Sequence, residues 1–328
     1  MKSSIFTHNH LNRGILFLKL HIHFIGLHLW IIKIFVKNTA RILQIVAIYV
    51  TLCNMDAETE QILTSGSIKT ADIVSQLLSN GITAVTSEEL SILLGVPKNQ
   101  TRQRLAPLVK RHEIISPCRG FWVPIPYEYR QWGAPEAIYY VDKMMRYLNI
   151  EYYVGWMSAA AILGATHHAS QVFQVATSRH FRNKVVGRSN FKFFQRSNVG
   201  VLPTFRHITQ TGTVSVSTRA ATMLSVTNDL TNASGLDNAA NIVIELSDTD
   251  GSIIADIAAC AGFFPISALR RLGWILERFT DMSDLEQLKE ISHNSGIRLS
   301  KLSMYNSYSD RIDKTWSLDI NERIDPDI

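Results

Sequence analysis

The chain has 328 residues, 46% of them apolar and 19% charged, which places most of it in the globular class with enough length for two modest domains. Its formal charge of +5 is uneven: residues 1–54 hold six Lys or Arg, no Asp or Glu and five of the eleven His, leaving 27 basic and 28 acidic residues from Met55 onward. Cys53, Cys118 and Cys260 give no pairable framework, which fits a reducing cytoplasm and argues against a disulfide scaffold or a structural zinc site.

Residues 1–54 are strongly apolar, but Lys19, Lys33, Lys37, Arg41 and three His interrupt them, so no clean run of eighteen apolar residues exists to span a membrane. They also lack the compact apolar core and small-residue cleavage site of a secretory signal. The composition breaks sharply at Met55, and the expectation is a start codon set too far upstream, with a membrane-associated amphipathic segment as the alternative.

From Ile68 to Leu78 apolar residues recur at helical spacing, and Asn80 and Gly81 end the run. A second helix follows, capped by Thr86 or Ser87, favoured at its positive end by Glu88 and Glu89 and closed by Gly95. Pro97 is tolerated at the start of a third helix, in which Leu105, Leu108 and Val109 form a stripe. Glu113–Ser116 and Gly120–Val123 then pair as short strands across Pro117, Cys118 and Arg119, with Phe121 and Val123 inward and Trp122 outward, or the reverse if the register slips. The predicted core is Ile73, Leu77, Leu90, Leu94, Leu105, Leu108, Val109 and Phe121.

Such a layout is that of a winged helix-turn-helix, with the third helix in position to meet DNA. Asn99, Arg102, Gln103 and Arg104 are the types that read base edges, while Lys98, Thr101, Lys110 and Arg111 suit phosphates and Arg119 sits at the wing tip. Between Pro97 and Arg130 seven Lys or Arg oppose Glu113 and Glu128, a local charge of +5. The competing reading is a winged-helix protein-interaction scaffold without specific DNA binding. Cys118 reads as a surface thiol without a partner.

Pro124–Gly133 is the expected linker. Beyond it, Ala134–Leu148, Trp156–Leu163, Ile253–Ala261, Pro265–Phe279 and Asp284–His293 read as helices. Val172–Ala176, Phe191–Phe194, Val214–Ser217 and Ile242–Glu245 read as strands, and from Ser303 onward core-forming runs are few, with Trp316 pinning a tail. His167, His168 and His180 have no third donor at metal-ligand spacing; Ser158, Ser178 and Ser217 occupy no nucleophile elbow; no glycine-rich phosphate loop is present. These features point to a protein without catalytic residues, metal or cofactor. The basic stretch Ser178–Arg188 is either a solvated charge run or a contact for nucleic acid or an acidic partner.

The basic helix and its RGFWVP exit, followed by YYVGWMSAAAILGATHHASQVFQVATSR, resemble the AbiEi family of antitoxins and transcriptional regulators from bacterial abortive-infection systems, over about Ile68 to Tyr305. The resemblance implies an amino-terminal domain that binds DNA repeats in its own promoter, and a larger domain that counters a cognate nucleotidyltransferase-type toxin. Transferred to this chain, the first role falls on Lys98, Asn99, Arg102, Arg104, Lys110 and Arg119, and the second on the region Tyr152–Arg188. Direct toxin binding, toxin modification and opposition at the toxin's target stay open. The polar run Ser225–Leu236 departs from the pattern as an expected lengthened loop. The expected fold class is α+β: an extension at 1–54, a winged helix-turn-helix at 68–126, a mixed α/β antitoxin domain at 134–305 and a tail at 306–328. The expected location is the cytoplasm.

Overall fold

The computed structural model describes residues 67–165, 172–247, 253–296, 298–309 and 311–326. The extension 1–54 lies outside the described residues, as do His167 and His168. The fold is α+β, with helices and three sheets.

Helix α1, Ile73–Ser79, begins later than its apolar period suggests, because the Ile68 amide donates to the Leu93 carbonyl instead of entering a helix. It ends as expected at Asn80, with Gly81 at φ +73°. Helix α2, Ser87–Leu93, opens on a capping box: the Thr86 side chain accepts from the Glu89 amide at 3.2 Å and the Glu89 carboxylate accepts from the Thr86 amide at 2.6 Å. After Gly95, Pro97 caps α3, Lys98–Lys110. Strand β1, Val85–Thr86, pairs with β3, Phe121–Pro124, which also pairs with β2, Ile114–Cys118, so β3 is the centre of a three-stranded sheet.

That central place corrects the expected inward-outward alternation. Phe121, Trp122 and Val123 are all buried, and the Trp122 indole donates to the Ser87 hydroxyl at 2.8 Å. Val109 is also corrected: it is 39% exposed, since Leu105 and Leu108 already fill the buried side of α3 with Thr101.

The expected linker holds a 3-10 turn, Tyr127–Trp132, and the expected Ala134–Leu148 helix is a second 3-10 turn, Ala137–Tyr139, followed by α4, Val141–Tyr147. Next come β4, Tyr152–Val154, α5, Trp156–Ile162, β5, Val172–Thr177, β6, Lys184–Val186, β7, Ser189–Gln195, β8, Thr204–Thr209, and β9, Gly212–Ser217. These strands form a six-stranded mixed sheet in the order β6-β7-β5-β4-β9-β8. Alternation along the strands divides the core. Val154 and Val175 face one cluster with α4, Phe121 and Val123, while their neighbours Tyr153 and Ala176 face the helical layer.

The helical layer contains α6, Arg219–Asn228, α7, Leu236–Ser247, α8, Ile253–Ala261, α9, Ile266–Phe279, and α10, Glu286–Asn294. Two readings are overturned there. Ile242–Glu245 is not a strand but part of α7, whose Leu236, Ala239, Ala240, Val243 and Leu246 are buried at helical spacing. The polar run from Ser225 is not wholly a loop: the Ser225 and Thr227 hydroxyls donate to the Ala221 and Met223 carbonyls, at 2.7 and 3.0 Å, and both residues are buried in α6.

The end of the chain is packed rather than loose. Strands β10, Ser300–Lys301, β11, Ile312–Asp313, and β12, Leu318–Asp319, make a small sheet in the order β10-β12-β11. Trp316 is fully buried, its indole donates to Glu277 at 2.8 Å, and its ring lies so close to Gly273 of α9 that a Cβ there would collide with it. Two charged side chains of α9 go inside as well. Arg270 donates to the carbonyls of Ser292, Gly296 and Arg298 around the end of α10, and Arg271 to those of Thr227, Lys301 and Leu302.

Candidate nucleic-acid interface

The helical repeat of α3 decides which of its polar residues face solvent. Thr101, Leu105 and Leu108 form the buried stripe, so Asn99, Gln103, Ala106 and Lys110 point directly away from the core. Arg102 lies on one flank of that face and Arg104 on the other, and both are exposed. Small Ala106 between the longer side chains leaves the centre of the face low. Pro107 has no amide proton and leaves the Gln103 carbonyl without its usual helical donor.

The same phase removes one candidate. Thr101 is fully buried and its hydroxyl has no hydrogen-bond partner, so it belongs to the core and cannot reach a phosphate. Lys98 is exposed and forms an ion pair with Glu88, which ties the start of α3 to α2. Arg111 donates to both oxygens of Glu113, at 2.9 and 3.2 Å. That bond holds the Glu113 carboxyl below its ordinary value and raises the Arg111 guanidinium.

The β2–β3 turn is fastened from the rest of the chain. Lys184 of β6 donates to the Pro117 carbonyl at 2.7 Å, and the Tyr147 hydroxyl of α4 donates to the Arg119 carbonyl at 3.2 Å. Gly120, at φ +82°, lets Tyr147 approach, because any Cβ there would meet its hydroxyl. Only the main chain of Arg119 is engaged in these contacts, and its side chain is exposed. Cys118 is half-buried beside Lys184, and desolvation pushes its thiol up to about 11, so it is not an ordinary surface thiol. The sequence held a partial signal for these supports, since Lys184 falls in the basic stretch Ser178–Arg188, whereas Tyr147 carried none.

That basic stretch is spread over several tasks. Arg179 donates to the Leu148 and Asn149 carbonyls, Arg188 lies 4.6 Å over the Trp132 ring, and Arg182 and His180 are exposed. Two of the serines considered as nucleophiles serve the fold. Ser158 is buried between the Val172 carbonyl and the Gln174 amide, and Ser217 is bonded to Thr222. Among the described residues no group of three metal-ligating side chains occurs, and no helix is long and apolar enough to cross a membrane.

The family model of the AbiEi antitoxin C-terminal domain matches residues 153–278, which include α5 to α9 and most of the six-stranded sheet. The resemblance to the AbiEi family is shown over this segment. The AbiEi-like domain thus supplies Lys184, one of the two donors that hold the β2–β3 turn. The chain is also similar to a solved structure, the crystal structure of the RV2827C protein from Mycobacterium tuberculosis, at 14% identity and a TM-score of 0.56, over 77% of this chain and 92% of that one. At that identity the likeness concerns fold. Comparison with curated proteins gives no match.

Proposed function

We propose that the chain is a DNA-binding autorepressor and antitoxin, in which residues 68–126 form a winged helix-turn-helix and the AbiEi-like domain counters a nucleotidyltransferase-type toxin. The observation that carries the DNA reading is the outward face of α3: Asn99, Gln103 and Lys110 with flanking Arg102 and Arg104, on a helix whose buried side is already occupied. In this reading α2 and α3 are the helix-turn-helix pair, Gly95 makes its turn, and the β2–β3 hairpin is the wing with Arg119 at the tip. Asn99, Arg102, Gln103 and Arg104 then read bases while Lys98, Lys110, Arg111 and Arg119 meet phosphates or the neighbouring minor groove. The antitoxin role draws its support from the family match at 153–278. Neither role assigns the chain a catalytic group or a cofactor.

A salt-titrated binding assay on the full chain tests the first role, comparing the DNA upstream of its own gene with a shuffled duplex. Preference for the upstream DNA, weakening as salt rises, is the expected result. The pair Arg102→Ala and Arg104→Ala should weaken binding by about 1–3 kcal/mol for each lost base contact, narrow the preference for the upstream DNA and lower the salt slope, without unfolding a protein whose two side chains are exposed. Equal binding to both duplexes would return the chain to the interaction-scaffold reading. The second role is tested by co-expression with the product of the adjacent gene, where growth should be restored by the full chain and by the double variant alike.

A further inference from the structure

The AbiEi-like domain contains a cavity of about 370 Å³ whose lining residues all fall between 153 and 278 and take no part in the α3 face. That volume is within the range of small-molecule sites. One wall is aromatic: Tyr153 and Trp156 from the sheet side, Phe263 and Phe264 from the turn after α8. A single cation enters among the lining residues. Arg196 lies 5.3 Å over the Trp156 ring and 6.0 Å over Phe194, rings that themselves meet at 4.5 Å, so the guanidinium rests against aromatic faces. Its nearest carboxylate, Asp229, is 3.8 Å away and already accepts from the Asn232 amide and side chain at 3.2 and 2.7 Å. The guanidinium thus pairs with Asp229 at ion-pair range without a direct hydrogen bond to it, and its Nη1 donates to the Gln195 carbonyl at 3.3 Å. Ser197, Asn198 and Asn228 add hydroxyl and amide groups to the rim.

Trp156 adds two independent observations. It is a bulky residue at φ +50°, a region that such side chains rarely occupy and that persists where the surroundings enforce it. Its indole N–H is shielded from solvent and has no acceptor among the described residues. The fold thus holds a strained tryptophan with an unused donor beside a partly exposed arginine whose ion pair with Asp229 is long, at the wall of a cavity.

We propose that this cavity binds a small anion carried on a flat aromatic ring, the chemistry shared by a nucleoside monophosphate and an aromatic carboxylate. The ring packs on the Tyr153, Trp156 and Phe263 wall and the anion meets Arg196. Full-length protein with 15N-labelled tryptophan gives the test, the Trp156 indole signal being assigned by its loss in Trp156→Phe. The probes are the four ribonucleoside monophosphates, 4-hydroxybenzoate, the corresponding nucleosides and inorganic phosphate. At least one ring-bearing anion should shift the Trp156 signal saturably, and whether it is a nucleotide or the benzoate identifies the source of the anion. Nucleoside or phosphate alone should bind about tenfold or more weakly, and Arg196→Gln should weaken the active probe by about tenfold or more, as loss of one charge-assisted contact requires. Arg196→Lys should fall between, and the Trp122 and Trp316 signals should stay in place to report an intact fold. The proposal is overturned if no ring-bearing anion moves the Trp156 signal up to about 10 mM, about tenfold above a 1 mM dissociation constant. It is equally overturned if phosphate alone binds as well, or if Arg196→Gln leaves binding unchanged.

Discussion

The two ends of the described chain use arginine in opposite ways. On α3, Arg102 and Arg104 stand in solvent on either side of a polar face, and the core beneath them is built from Thr101, Leu105 and Leu108. On α9, Arg270 and Arg271 are 1% and 3% exposed, and they hold backbone carbonyls from α6, α10 and the segment that follows it. Burial pushes the Arg271 guanidinium down to about 10, so the carbonyls compensate only part of what water would give. Charge that stays outside is free to meet a ligand, and charge taken inside is spent on joining segments.

That contrast fixes where substitutions should act on stability and where on binding. The largest expected effect is in the carboxy-terminal packing. Trp316→Ala removes a fully buried ring and should cost about 3–5 kcal/mol in urea unfolding. Gly273→Ala should cost about 1–3 kcal/mol by overpacking against that ring, and should become nearly harmless when combined with Trp316→Ala. Additive losses would show that the two residues do not meet.

Arg271→Met comes next. It leaves three buried carbonyls without their donor and should cost about 3 kcal/mol, whereas Arg102→Met on α3 should stay within about 0.5 kcal/mol, both read from the same denaturant midpoints. Similar losses at the two sites would abolish the distinction drawn between them.

Thr86→Ala should cost about 1 kcal/mol by opening the cap of α2, read as a lower urea midpoint. Glu113→Gln should have the smallest effect, below about 1 kcal/mol, because its arginine partner is exposed. Its signature is pH. The Glu113 carboxyl is depressed in the folded chain, so its stabilisation is present above the ordinary value of 4.5 and is lost as the pH falls below it toward the folded value. The difference in melting temperature between wild type and Glu113→Gln should therefore close on acidification, and a gap that widened would reverse the sign.

What could be read from the sequence followed from local rules. Thr86 or Ser87 with Glu88 and Glu89 announced a helix start, Gly95 the turn and Pro97 the start of α3, since each is settled within one turn of helix; that Thr86 and Glu89 close a capping box came from the structure. Ile242–Glu245 misled because four residues rich in β-branched side chains fit either a strand or a helix, and only the longer window from Leu236 to Leu246 shows the helical period. Strand β8 was missed for another reason: it is an edge strand paired only with β9, and its alternation is of exposed and half-buried residues rather than apolar and polar ones. On α3 the residue types were legible but their direction was not, because Thr101 has the chemistry of a phosphate contact and the position of a core residue. The cavity beside Trp156 was invisible to spacing, as its lining joins residues from Tyr153 to Pro265.

The two bonds that hold the β2–β3 turn also set a matter of phase. With Pro117 bonded to Lys184, Arg119 bonded to Tyr147, and Phe121 and Val123 in one core with Val154 and Val175, swivelling the turn against the large domain would break these contacts. In the DNA-binding reading, every bound copy would carry its AbiEi-like domain at one fixed angle around the duplex axis. Repeats spaced by whole turns would then align those domains along one side of the DNA, and inserting half a turn, about 5 base pairs, would put neighbouring domains on opposite sides.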